Sequence, residues 1–179
     1  MTNNHSETPA DSPSQPSASP TPLNPEEMRQ LTDLAKQQAE RVMGTIPVLG
    51  GVVWLMMQQP GMRHTLLSEL EWRVMPALVL QQSKLYMRDS APVAYVSWAK
   101  LSEAAAQRYM EAPHHLTAAD WKSGEQFWII DLVTPFGGAP EVIQELRATV
   151  FAGATVQQLM PAVDGQPKSM TWPAVQAGS

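Results

Sequence analysis

A chain of 179 residues that is 44% hydrophobic is long enough to fold one domain around its own core. Its formal charge of −5 excludes a general nucleic-acid binder, which needs a basic surface to neutralise phosphates. With no cysteine, disulfides, thiolate metal sites and a cysteine nucleophile are excluded together.

Residues 1–23, "MTNNHSETPADSPSQPSASPTPL", are rich in Pro, Ser and Thr and poor in bulky apolar groups. Such a segment buries too little surface to offset its ordering entropy, which predicts a disordered tail holding His5. At "NPEE" the character changes. Asn24 suits a helix cap, Pro25 the first helical position, and Glu26 and Glu27 the positive end of the dipole. Met28, Leu31, Ala35 and Val42 recur at helical spacing, predicting an amphipathic helix to about Met43. "TIPVLGGVVWLMMQQPG" predicts a second, more buried helix, begun by Pro47 and ended by Pro60-Gly61, with Gly50-Gly51 admitting a close backbone. A third helix is expected from about Pro60 to Val79, its apolar side carrying Met62, Leu66, Leu70 and Val74.

The period then changes to two. "SKLYMR" and "PVAYVSWA" flank Asp89-Ser90 and predict a hairpin. "LSEAAAQRYM" predicts a short helix. "EQFWIIDLV" is nearly continuous in apolar residues, as in a central strand covered on both faces. Strict alternation would place Phe127, Ile129 and Val133 on the face of Asp131, and Trp128, Ile130 and Leu132 on the other. "TPFGGAPEVIQELRATVF" leads through a glycine turn into a helix with Pro140 near its start, and "ATVQQLMPA" and "SMTWP" are the expected last strands. The longest apolar run, "IPVLGGVVWLMM", falls short of the roughly 20 residues of a membrane span. The N-terminus has no basic stretch followed by an apolar one, as a secretory signal would. The expectation is therefore a cytoplasmic chain without a transmembrane segment, divided into the tail (1–23), the amphipathic helix (24–45) and a folded domain (46–175). Its class is α/β (α+β): leading helices, a central mixed sheet and one helix after a buried strand.

Asp131 is the most informative side chain, because an ionised carboxylate inside "FWIIDLV" is costly unless paired or hydrogen-bonded. It is either a structural carboxylate satisfied by an arginine or loop amides, or one that orients a base, as the acid of a catalytic triad holds its imidazole. Gly137 and Gly138 form the second candidate: a glycine turn after a buried strand aims helix N-terminal amides at an anion such as a phosphate. Glycines also end strands for ordinary steric reasons. His114 and His115 read as loop residues, and without carboxylates or cysteines at ligand spacing no metal site is expected. The eleven methionines are core filler or a flexible acyl-binding groove.

Taken together, "LGGVVWLMMQQP", "PVAYVSWAKLS" and "DWKSGEQFWIIDLVTPFG" resemble the toxin-activating lysine acyltransferases of RTX toxin operons, over about residues 49–150. The matching blocks include Trp54, Pro60, Pro92 to Tyr95, Ser97 to Ala99, Asp120-Trp121, Ile130-Asp131 and Pro135 to Gly137. The resemblance implies a fold related to the GCN5-like N-acetyltransferases. It also implies transfer of a fatty acyl group from acyl-acyl carrier protein to internal lysine ε-amines of an RTX-type protoxin. The implied catalytic pair is a histidine after a Ser-Pro turn and an aspartate matched by Asp131. The histidine position carries Met62 here and the serine position Gln59; His64, two residues on, matches a second histidine of some relatives. The expected catalytic residues are therefore His64 and Asp131, with Gly137 and Gly138 at the donor. No bound cofactor is expected, the partners are acyl carrier protein and protoxin, and a homodimer stays open. Carrier proteins are acidic, so Arg63, Arg73, Lys84 and Arg88 would have to form a local basic patch. Two other readings remain: an acyl-CoA-dependent GCN5-like transferase, for which "TPFGGAPE" lacks the longer glycine loop, and a non-catalytic relative that binds protoxin or carrier protein, favoured by Met62.

Overall fold

The computed structural model describes residues 24–163 and 166–174, so the expectation for the tail lies outside the described residues. Helix α1 runs Pro25–Gln58. Its start is capped as the sequence predicts: Asn24 Oδ1 accepts from the amides of Glu26 and Glu27 at 3.0 and 2.8 Å, and Glu27 Oε2 accepts from the Asn24 amide at 2.9 Å. Each reciprocal bond satisfies a donor that the first helical turn leaves orphaned. The two helices expected on either side of Pro47 are one. Proline removes a single backbone bond, and the Met43 carbonyl it abandons belongs to a residue 64% exposed, where solvent can take it. This fusion yields a helix of 34 residues that is long and apolar enough to cross a membrane by composition, which the separate runs were not. Val52, Leu55 and Met56 near its C-terminal end are buried in the core. The chain divides into two compact units at Gln37/Gln38, inside α1.

The third expected helix is broken into three pieces. A 3-10 turn spans Pro60–Met62, α2 spans Leu67–Arg73 and α3 spans Met75–Val79. Pro76 has no N–H to bond back to Trp72, so α2 ends there and a new helix begins. Leu66, expected on the apolar side, is 66% exposed, whereas Met62 and Leu70 pack on the core.

Strands β1 (Ser83–Arg88) and β2 (Ala91–Leu101) form the expected hairpin. Asp89 and Ser90 both take positive φ, 47° and 69°, as a tight turn matched to strand twist requires. Helix α4 (Glu103–Met110) is capped by Ser102, whose hydroxyl accepts from the Ala105 amide. Strand β3 (Gln126–Val133), helix α5 (Ala139–Ala148), β4 (Val156–Val163) and β5 (Gln166–Trp172) complete the order. The sheet runs β1-β2-β3-β4-β5 and is mixed, parallel only between β3 and β4, which α5 connects. This is a mixed α/β domain. The α1 C-terminal end and α2 to α4 cover one face of the sheet; α5 covers the other.

The alternation expected along β3 breaks at a bulge. Ser97 of β2 pairs with Asp131 and Trp98 with Ile129, so Ile130 is an extra residue on β3. Ile129 therefore packs with Leu132 and α5, contrary to the alternating assignment. Ile130, Val133 and Asp131 all turn to the side of α2 to α4.

Candidate active site around Asp131

Asp131 is 2% exposed, and it has found a partner that the sequence reading named only as a type. Arg73, the last residue of α2, donates through Nε at 2.7 Å and approaches through Nη2 at 2.5 Å, both to Oδ1. The short helix ends where Pro76 forces it to, which places Arg73 over the middle of the sheet. Burial pushes the Asp131 carboxyl above its ordinary value, Arg73 pulls it down, and Glu69 adds a smaller upward push. Burial opposes the Arg73 charge, but Asp131 holds the guanidinium above its usual range.

The second oxygen of Asp131 is different. Oδ2 is buried and has no hydrogen-bond partner, and the same holds for the Tyr95 hydroxyl and Ser97 Oγ. Ser97 faces Asp131 directly across the β2–β3 ladder, and Ser83 faces Ser97 across β1–β2. Three polar residues thus form a row across the sheet beneath α2 and α3. Burial and the Asp131 charge raise both the Tyr95 and the Tyr109 phenol, so both keep their protons through the neutral range.

His64 lies in the turn between Met62 and α2 and is exposed. No hydrogen bond or ion pair joins it to Asp131. Met62 has the inward place, packed against the cluster of Leu55, Val74, Tyr95 and Val133. The turn itself is tied to the end of β3, because Gln59 Oε1 accepts from the Thr134 amide at 2.9 Å. That link was not read from the sequence; Gln59 stands where the resemblance puts a serine, and the polar residue before Pro60 was its only signal.

Gly137 and Gly138 both adopt positive φ, 87° and 86°, a conformation that other residues rarely hold. With Tyr86, Arg88, Val93, Phe136 and Glu141 they line a cavity of about 520 Å³. Trp54 packs on Phe136 at its edge, with ring centroids 5.8 Å apart. Tyr86 and Val142 place this cavity on the α5 face, whereas Asp131 turns to α2. The two expected halves of the site are therefore not brought to one face. The expected basic patch is also divided. Arg73 is paired with Asp131 and Lys84 with Glu145 at 2.9 Å, while Arg88 borders the glycine cavity. His114 donates from Nδ1 to the Tyr109 carbonyl oxygen at 3.0 Å, and the His115 ring packs at a tilt against Trp72.

The model of the RTX toxin acyltransferase family matches residues 42–171, from within α1 to the last strand. An RTX-II toxin-activating lysine-acyltransferase of Actinobacillus pleuropneumoniae is 37% identical over 100 residues, which cover 56% of this chain and 62% of that protein. A leukotoxin-activating lysine-acyltransferase of Aggregatibacter actinomycetemcomitans is 42% identical over 90 residues, 50% of this chain and 54% of that protein. A lysine-acyltransferase of Vibrio cholerae is 32% identical over 123 residues, 66% of this chain and 80% of that protein. The match to the first two thus spans little more than half of their length. On this family match, the chain belongs to the RTX toxin acyltransferase family.

Proposed function

We propose that this chain is a protein-lysine acyltransferase that moves a fatty acyl group from acyl-acyl carrier protein to lysine ε-amines of an RTX-type protein. The observation that carries this reading is the family match across residues 42–171, which includes the buried carboxylate of β3. A thioester is already reactive, so the enzyme's main tasks are to orient the amine and stabilise charge on the acyl oxygen. The crossover from β3 through α5 to β4 suits a GCN5-like arrangement. His64 would serve as base only if the exposed turn between Met62 and α2 brought it inward. The work would be done in the cytoplasm, where acyl carrier protein is available.

The test is intact-mass analysis after incubation with acyl-carrier protein and a lysine-bearing RTX fragment. A fatty-acyl mass on lysine is expected. An adduct formed only with acyl-CoA would replace the donor, and no adduct with either would remove the reaction. A second reading, a non-catalytic relative that binds protoxin or carrier protein, is favoured by one feature: Met62 points into the core where the family's histidine would stand, while Asp131 is already paired.

A further inference from the structure

Asp131 holds an arginine, and uses one oxygen to do so. Nε and Nη2 of Arg73 converge on Oδ1, which leaves Nη1 outside the pair. The Asp131 side chain is 1% exposed and that of Arg73 is 25% exposed. The carboxylate is therefore inside, and the cation it fixes reaches the surface. The resemblance implies an imidazole as partner of this aspartate; in this chain the partner is a guanidinium, brought from a different position.

We infer that Arg73 is a catalytic residue of the acyl transfer, with its guanidinium beside the reacting carbonyl oxygen and Asp131 as its positioning residue. This rests on the acyltransferase reading above and changes its chemistry. The lone pair of the target lysine Nζ attacks the thioester carbonyl carbon, a C–N bond forms, and the carbonyl π pair moves onto oxygen. Arg73 stabilises that oxyanion through charge-assisted hydrogen bonds. Collapse breaks the C–S bond; the thiolate leaves and takes up, through solvent, a proton equivalent to the one the amine gives up. A guanidinium stays protonated in proteins and cannot be the base. The lysine must then shed its proton before attack, so the rate follows the free-amine fraction, about tenfold per pH unit below a pKa of about 10.4.

The charged and titratable groups facing Arg73 are Glu69 on its own helix, Tyr95 from β2, Tyr109 from α4 and Asp131 from β3. His115, on the loop after α4, packs at a 43° tilt against the neighbouring Trp72 with centroids 4.7 Å apart. An imidazole acting as base would betray itself as an inflection near pH 6.5.

The experiment has two arms. In the first, single-turnover transfer from acyl-carrier protein to an RTX fragment is followed from pH 6 to 9 for the wild type, Arg73→Gln and Arg73→Lys. The expected result is a steady rise with no inflection near 6.5, a fall in kcat of about 10²–10³-fold in Arg73→Gln at nearly unchanged KM, and partial recovery in Arg73→Lys. In the second, hexylphosphonate, a tetrahedral anion with a short alkyl tail, is titrated calorimetrically into the same proteins. Binding should weaken about tenfold or more in Arg73→Gln. A folded Arg73→Gln with wild-type kcat, an inflection that disappears in His64→Ala or His115→Ala, or equal phosphonate affinity in wild type and variant would each overturn the inference. Wild-type protein that transfers nothing would end the transferase reading and the catalytic role with it, whereas transfer indifferent to Arg73 would spare that reading and remove only this inference.

Discussion

Two aspartates of this domain are paired with arginines, and they are paired in opposite ways. Asp120 sits in a loop after α4. Its Oδ1 accepts from Arg108 Nη2 at 2.6 Å, and its Oδ2 accepts from the amide and the hydroxyl of Thr117 at 2.9 and 2.8 Å. Both oxygens are satisfied. Although burial works against the Asp120 charge, the Thr117 bonds and Arg108 hold its carboxyl below the ordinary value. Asp131 has one oxygen engaged and one buried without a partner, and burial holds its carboxyl above the ordinary value. A structural carboxylate is expected to be saturated, because each unmet lone pair in the interior costs about 1–3 kcal/mol. The Asp120 loop is built that way. The half-filled valence of Asp131 marks the place where the fold carries an unoffset cost, as functional sites do.

The largest expected effect comes from removing the cation. Arg73→Met would leave Asp131 buried and unpaired, which costs about 3–5 kcal/mol. A urea melt at pH 7 should show it as a large fall in midpoint, and a fall below 1 kcal/mol would mean that the pair contributes little. Next is Asp131→Asn, which keeps shape and removes charge. It should keep a cooperative melt and lose transfer by about 10²–10³-fold through misplacement of the cation beside the acyl oxygen. A folded variant with full activity would make Asp131 as structural as Asp120.

The acid side of the stability curve sharpens the contrast. The Asp131 carboxyl is raised in the folded state, so its contribution is fully present below the unfolded value of about 3.9 and is lost as pH rises through the folded one. That of Asp120 is lowered, so its contribution is fully present above about 3.9 and is lost as pH falls through the folded one. Thermal midpoints between pH 2.5 and 7 should show Asp120→Asn flattening the loss in acid, at a cost of about 1–3 kcal/mol at neutral pH. Asp131→Asn should instead remove a decline above pH 4. Profiles that change in the same sense would refute the opposed assignments. The smallest effect is expected at the exposed pair of Lys84 and Glu145: Lys84→Met should move stability by less than about 1 kcal/mol, and a larger change would show that the pair is part of a network with Tyr86.

Much of this contrast could not have been read from the chain. The buried strand and its carboxylate stood out because "EQFWIIDLV" is apolar on both sides of Asp131. An arginine was one of the partners expected for it, but twelve cations are scattered along the chain and nothing local selects Arg73, which lies 58 residues away. Residues 127–130 of β3 were assigned to the wrong faces relative to Asp131 because a bulge has no fixed sequence mark; it is set by how β2 and β3 settle against their two helical layers. His64 was expected to act as base although Met62 holds the family's histidine position, and the structure puts Met62 inward and His64 in solvent. The reason is apolar burial: a thioether at the inner position gains from the core, whereas an imidazole there would need a partner.

What the sequence determined by itself was local or periodic. The cap at Asn24, the hairpin turn at Asp89-Ser90, the start of α4 at Ser102 and the glycine turn before α5 each depend on a few neighbouring residues whose chemistry permits little else. Tertiary structure decided the rest. It carried α1 through Pro47, because the abandoned carbonyl could face solvent while the following turns packed on the sheet. It divided residues 60–79 into a turn and two short helices, and so delivered Arg73 to Asp131. It also sent Asp131 and the Gly137-Gly138 turn to opposite faces of one sheet. These outcomes depend on which surfaces meet across distant parts of the chain, and the free energy that selects them resides in contacts that no short window of sequence contains.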